Sequence, residues 1–126
     1  MVEYSEEEGR EFITRRLRVF AVAPRQAAQL CRSLLKDEEV SGLVPWMDGK
    51  SAKELDQETL RIELLCAAGG LNVWAIQLLE DQVIVGAIIE TSSLAGSNVE
   101  AILGRDCWGH GFADEALAPV LHWVAS

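Results

Sequence analysis

Apolar and polar residues alternate from Arg15 to Ala21, with Leu17 and Val19 on one side and Arg16 and Arg18 on the other. That period of two predicts a β-strand. Pro24 then stands where a first helical position falls, and Ala27, Leu30, Cys31, Leu34 and Leu35 follow at helical spacing as far as Asp37-Glu38-Glu39. Gly42 to Gly49, with Pro45-Trp46 inside it, reads as a loop. Ser51-Ala-Lys-Glu54 is a capping box and opens a second helix that runs to Gly69-Gly70. Two strands follow, about Asn72 to Leu79 and Gln82 to Glu90, with Glu80-Asp81 as a tight turn between them. A Ser/Gly/Asn loop leads into a short strand, Val99 to Leu103, which Gly104 to Gly109 breaks. Phe112, Ala116, Leu117, Val120, Leu121 and Val124 give a last amphipathic helix. The order strand, helix, helix, three strands, helix predicts an α+β or mixed α/β layer.

At 126 residues the chain is one domain's worth, and it carries neither an internal repeat nor a linker-like stretch. Residues 1–12 form an acidic N-terminal segment, expected to be frayed or a short helix. Its charge also speaks against a secretory leader, which is basic and then apolar, so the cytoplasm is the expected compartment. No apolar stretch is long enough to span a bilayer. Cys31, Cys66 and Cys107 are isolated and odd in number, so neither a disulfide framework nor a metal site is expected.

Net charge is −9, and beyond residue 61 Arg105 is the only cation among the second half's carboxylates. A nucleic-acid partner needs clustered Lys and Arg, so none is expected. Acidity of this kind suits a cationic or amine partner, and equally a soluble surface.

The segment Leu103-Gly-Arg-Asp-Cys-Trp-Gly-His-Gly-Phe-Ala-Asp-Glu-Ala-Leu117 carries the chemistry. A strand runs into a loop with Gly109 and Gly111, and a helix starts directly after it. The glycines let backbone approach a bulky anion, and the first helical N–H groups have no internal partner. With the positive end of the helix dipole, those donors make a phosphate site. The two glycines taken alone are also what a tight strand-to-helix turn requires.

Trp108-Gly-His-Gly-Phe-Ala113 followed by Glu115-Ala-Leu117 resembles the acetyl-coenzyme A pyrophosphate loop of the GNAT-superfamily N-acetyltransferases. More narrowly, it is similar to the branch that includes the ribosomal-protein N-terminal acetyltransferases. Thr14-Arg-Arg-Leu-Arg18, Val44-Pro-Trp46, Val73-Trp-Ala-Ile76 and Val85-Gly86 resemble that branch's other segments in the right order.

The resemblance implies a GNAT-like fold over residues 13–126, represented by its N-terminal two-thirds as a mainly antiparallel sheet flanked by helices. It implies acetyl-coenzyme A as co-substrate, with a primary amine as acceptor, on a protein N-terminus or a small molecule. Backbone N–H groups of Trp108, Gly109, His110, Gly111, Phe112 and Ala113 are then expected around the pyrophosphate, and backbone of Ile102 and Leu103 along the pantetheine arm. The family's frequent strand glutamate falls on Asn98, with Glu100 out of phase, so no catalytic base is assigned. Pro119 is expected to kink the last helix or to destabilise it. The family domain continues past the position of Ser126, and an edge strand left open there is expected to pair with a second copy as a homodimer around residues 95–126.

Several residues carry two readings. Trp46 and Asp48 line an acceptor pocket or lie over the core as a lid. Asp37, Glu38 and Glu39 form a solvated helix end or attract a cationic acceptor. His110 reads as an exposed neighbour of phosphate, His122 as a core-edge or surface residue, Cys107 as structural, and Trp74 and Trp123 as core. The alternative to an enzyme is a non-catalytic GNAT-like scaffold, acting as a coenzyme A-binding or protein-interaction module.

Overall fold

The computed structural model describes residues 11–125. Its elements are β1 (Glu11–Ile13), β2 (Leu17–Ala21), α1 (Pro24–Leu35), α2 (Glu38–Ser41), α3 (Ala52–Ala67), β3 (Leu71–Leu78), β4 (Ile84–Ser93), β5 (Gly96–Leu103) and α4 (Phe112–Ala125). The five strands form one sheet in the order β1-β2-β3-β4-β5, and every neighbouring pair is antiparallel. Helices cover both faces, which gives the expected mixed α/β layer.

Strand alternation divides the core in two. Leu71, Val73, Ala87, Ile89 and Ile102 face α1 and α3, where they meet Ala27, Cys31, Leu35, Leu55 and Ile62. Leu17, Val19, Trp74, Ile76, Val85, Ile88 and Leu103 face α4, where they meet Ala116 and Val120. β3 and β4 are buried on both faces, and this is why they read as nearly continuous apolar runs.

The capping box at α3 forms as its sequence requires: Glu54 N donates to Ser51 Oγ at 3.2 Å, and Ser51 N donates to Glu54 Oε1 at 2.9 Å. The Ser51 N–H, and after it the Ser51 hydroxyl, hold the Glu54 carboxyl below its usual pKa. Pro24 opens α1 at its first position.

Three expectations are corrected. Glu11–Ile13 is a strand rather than part of a frayed or helical end, pairing Phe12 with Val19; three residues are too few to show a period. Residues 1–10 lie outside the described residues. The segment from Thr91 to Asn98 is a hairpin rather than a loop: Ser93 pairs with Gly96 across Leu94-Ala95, and Gly96 takes a φ of 121°. Ser93 Oγ accepts from Ala95 N and donates to Gly96 O, closing the tip. Both faces of the tip are in water, so no alternation marked it. Asp37 does not end a helix but starts one, accepting from Glu39 N at 3.0 Å to cap α2.

α4 runs unbroken through Pro119 from Phe112 to Ala125. Trp74 is fully buried and meets the half-buried Trp123 edge to face, with ring centroids 5.7 Å apart.

Candidate functional site

Ile102 and Leu103 end β5 opposite Ala87 and Gly86 of β4. Their side chains point into opposite cores, Ile102 toward α1 and α3 and Leu103 toward α4. β5 is an outer strand, and among the described residues its second edge pairs with nothing. Gly104 N still donates to Val85 O at 2.8 Å, after which Arg105–Cys107 makes a single 3₁₀ turn.

The loop that follows is pinned at both ends. The Trp108 indole Nε1 donates to Leu103 O at 3.0 Å, and the half-buried ring packs against both cores. Gly109 and Gly111 take φ values of 83° and 78°, a left-handed conformation that side-chain-bearing residues adopt only under strain. Glu115 N donates to Gly111 O at 3.1 Å and begins the α4 ladder. The N–H groups of Phe112, Ala113 and Asp114 therefore precede any intrahelical acceptor and remain as donors at the positive end of α4. His110 is exposed and lies against Phe112, centroids 5.6 Å apart.

Two cations flank this loop in different ways. Arg105 is held by Asp37 at 3.0 Å and by Glu39 at 2.5 Å, so both carboxylates are ion-paired. Arg16, from the β1–β2 turn, reaches the loop from the far end of the sheet. Its Nε donates to Glu115 Oε1 at 2.7 Å, and its guanidinium lies over the Phe112 ring at 4.4 Å. Reading the sequence alone leaves Arg105 as the local cation; Arg16 is distant in the chain and close in space.

A second feature lies on the α1/α3 face. Trp46 Nε1 donates to Glu100 Oε1 at 3.0 Å, and both line a cavity of about 260 Å³ with Arg61, Ile62, Ile89 and Asn98. Asn98, Glu100 and Ile102 are two residues apart along β5, so they share one face. Glu100 is thus not out of phase: it points into the cavity beside Asn98. Trp46 both lines this cavity and packs against the α1/α3 core, whereas Asp48 is exposed in the same loop.

All three thiols have pKa values above the ordinary one. Burial pushes the Cys107 pKa up, and Asp106 and Asp81 push it further, so it stays protonated at neutral pH. Burial carries Cys31 up to about 12. His122 is exposed on α4. Glu90, unremarked in the sequence, is 3% exposed and accepts from Asn72 Nδ2 at 2.8 Å and Ser92 Oγ at 2.6 Å. Among the described residues no three His, Cys, Asp or Glu side chains are placed to hold a metal, and no helix is long and apolar enough to cross a membrane.

Solved structures with a similar fold include acetyltransferases. The chain is similar to the ribosomal-protein-S5-alanine acetyltransferase of Vibrio fischeri, with 15% identity, a TM-score of 0.61, and coverage of 90% of this chain and 66% of that one. It is similar to a GNAT-family acetyltransferase of Bacillus anthracis, with 13% identity, a TM-score of 0.64, and coverage of 90% and 64%. For the Mycobacterium smegmatis RimJ in complex with CoA-disulfide the identity is 22%, the TM-score 0.60, and the coverage 87% and 56%. The chain therefore spans less than two thirds of each of these proteins. Comparison with curated protein sequences gives no match. The acetyltransferase (GNAT) domain model matches residues 16–126, which takes in the sheet from β2 onward, the Gly109–Gly111 loop and α4. With that match over most of its length, the chain belongs to the GNAT acetyltransferase domain family.

Proposed function

We propose that this domain binds acetyl-coenzyme A on the loop from Trp108 to Ala113 and transfers the acetyl group to a primary amine, most naturally a protein N-terminus. The observation that carries this reading is the pair of left-handed glycines, Gly109 and Gly111, set between the open edge of β5 and the first turn of α4. That arrangement suits a diphosphate: free N–H donors converge and no Cβ stands at Gly109. Backbone of Ile102 and Leu103 offers the adjoining edge to an amide-bearing arm. The ribosomal-protein acetyltransferases among the similar structures support a protein acceptor.

When bound, the coenzyme supplies an activated thioester. The chain's own residues then orient and deprotonate. Glu100, turned into the cavity under Trp46, would accept the proton that the amine sheds as the new nitrogen–carbonyl bond replaces the thioester's carbon–sulfur bond and the coenzyme leaves as its thiolate. Trp46 fixes that carboxylate through its indole N–H, and the loop N–H groups fix the distance between coenzyme and acceptor. No residue needs to form a covalent intermediate, consistent with the protonated state of Cys107.

Upstream of Ile102, the edge of β5 that pairs with nothing among the described residues is assigned to a second copy of the chain, giving a homodimer around residues 95–126; unpaired strand edges are templates for such pairing. Sedimentation at micromolar concentration tests it, and a monomer removes it. The three free thiols support a cytoplasmic location.

Calorimetric titration with acetyl-coenzyme A, on the parent and on Gly111→Asp, tests the main reading. The aspartate places a negative charge where the diphosphate lies. Parental binding that the variant loses supports the site; equal binding by a folded variant refutes it. Binding without transfer to any amine-bearing peptide favours a non-catalytic coenzyme-binding scaffold instead.

A further inference from the structure

We propose that Arg16 is the side-chain cation of the diphosphate site, aimed at it by Glu115. This rests on the coenzyme reading above and adds to it a residue that lies outside the loop.

Three observations converge on it. First, Glu115 engages only one edge of the guanidinium. Its Oε1 accepts from Arg16 Nε at 2.7 Å, while its Oε2 accepts from Thr14 Oγ1 at 2.5 Å and from Arg16 N at 2.9 Å. Both carboxylate oxygens are thereby occupied, and neither Nη group of Arg16 has a hydrogen-bond partner among the described residues. Second, a Cβ built on Gly111 would lie 3.6 Å from Arg16 Nη2, so the uncommitted edge of the guanidinium stands at the loop glycine. Third, the guanidinium is stacked over Phe112, the first residue of α4, at 4.4 Å. An arginine held at Nε and on its face retains four N–H donors in a fixed fork, the geometry that matches phosphate oxygens. The side chain is 35% exposed, so a ligand has access to it.

The loop needs such a charge. A diphosphate brings two negative charges next to Asp114 and Glu115 in the first turn of α4. Glu115 is ionised: burial opposes that, but the bonds from Thr14 and Arg16 outweigh it and hold its pKa down. Arg105 is already shared by Asp37 and Glu39. Arg16 is the cation placed to offset the ligand, and Thr14 and Glu115 are positioning residues that orient it.

The test is calorimetric titration of the parent, Arg16→Gln and Arg16→Lys with coenzyme A and with 3′-dephospho-coenzyme A, at low and high salt, beside thermal unfolding of each. Losing a charge-assisted contact predicts about tenfold to hundredfold weaker binding of both ligands by Arg16→Gln. It also predicts a flatter salt dependence than the parent's, which Arg16→Lys restores because it keeps the charge. A role confined to holding the fold lowers the melting temperature and leaves the salt dependence parental in all three proteins; that result overturns the proposal. A loss confined to coenzyme A moves the contact to the 3′-phosphate and overturns the diphosphate assignment. Parental binding by a folded Arg16→Gln overturns the proposal while leaving the loop reading intact. Failure of the parent itself to bind either ligand overturns both.

Discussion

Trp46 and Glu100 are 54 positions apart in sequence, yet the Trp46 indole N–H meets the Glu100 carboxylate at 3.0 Å. One residue comes from the loop before α3 and the other from the middle of β5, so the bond ties the helical layer to the outer strand beside the cavity they share. Glu100→Gln retains an acceptor for the indole and removes the proton-accepting carboxylate. Acetyl transfer to a peptide N-terminus is expected to fall about 10²–10⁴-fold, with coenzyme affinity unchanged. Trp46→Phe keeps the carboxylate but frees it, and a smaller loss is expected. A Glu100→Gln protein that turns over at the parental rate excludes Glu100 as the base.

What could be read from the chain was local. The Ser51–Glu54 capping box and the strand-to-helix glycines at Gly109 and Gly111 are fixed by residues three or fewer positions apart, and each took the expected form. The resemblance of the loop brought the family into view on the same short segment. Pairings over long separations left no comparable trace. Glu100 read as out of phase with the family's strand glutamate, and nothing local tied it to Trp46 on another element; Arg16 read as part of a strand face because Glu115 is 99 residues away. The hairpin at Leu94-Ala95 was hidden for another reason: its polar residues project into water on both sides and leave no period.

Gly86 opposes Leu103 where β5 reaches the loop. A Cβ there would stand 2.5 Å from Ile102 O and 2.7 Å from Leu103 Cδ2, far inside contact distance. Since one of those atoms is backbone, Gly86→Ala must push β5 outward. Overpacking of this kind costs about 1–3 kcal/mol. The melting temperature is expected to fall by several degrees, with coenzyme affinity falling alongside it because the displaced backbone is the proposed pantetheine edge. An unchanged melting temperature contradicts the close approach of the two strands.

Besides Glu54, acid should destabilise the fold through three further carboxylates. Glu58 is bound by Lys50 at 2.9 Å and Arg61 at 3.2 Å, Glu90 by Asn72 and Ser92, and Glu115 by Thr14 and Arg16. In each, the pKa lies below its ordinary value in the folded state. Their stabilisation is therefore complete above the unfolded value of about 4.3 and is lost as pH falls through the lower folded values. Urea unfolding at pH 7 and pH 3 measures the difference. Glu115→Gln starts less stable at pH 7 and should lose less on acidification; a loss equal to the parent's excludes this carboxylate as a source.

Alkali acts through Cys31, for which the sign is opposite. This thiol is fully buried beneath α1, and burial, then the charges of Glu100 and Cys66, raise its pKa to about 12. An unfolded chain ionises the same thiol near 8.5. The folded state thus keeps a proton that the unfolded state gives up, so stability is intact below the unfolded value and declines as pH rises toward 12. The decline is about 1.4 kcal/mol per pH unit across that window. Urea unfolding at pH 8 and pH 10 should show it, and Cys31→Ala, though less stable at pH 8 because it leaves a cavity, should show a shallower drop. Alkylation supplies an independent check: at pH 8.5 iodoacetamide should spare Cys31 in the folded protein and modify it in urea. Labelling of Cys31 in the folded state at the unfolded rate would mean that α1 does not hold it against the sheet.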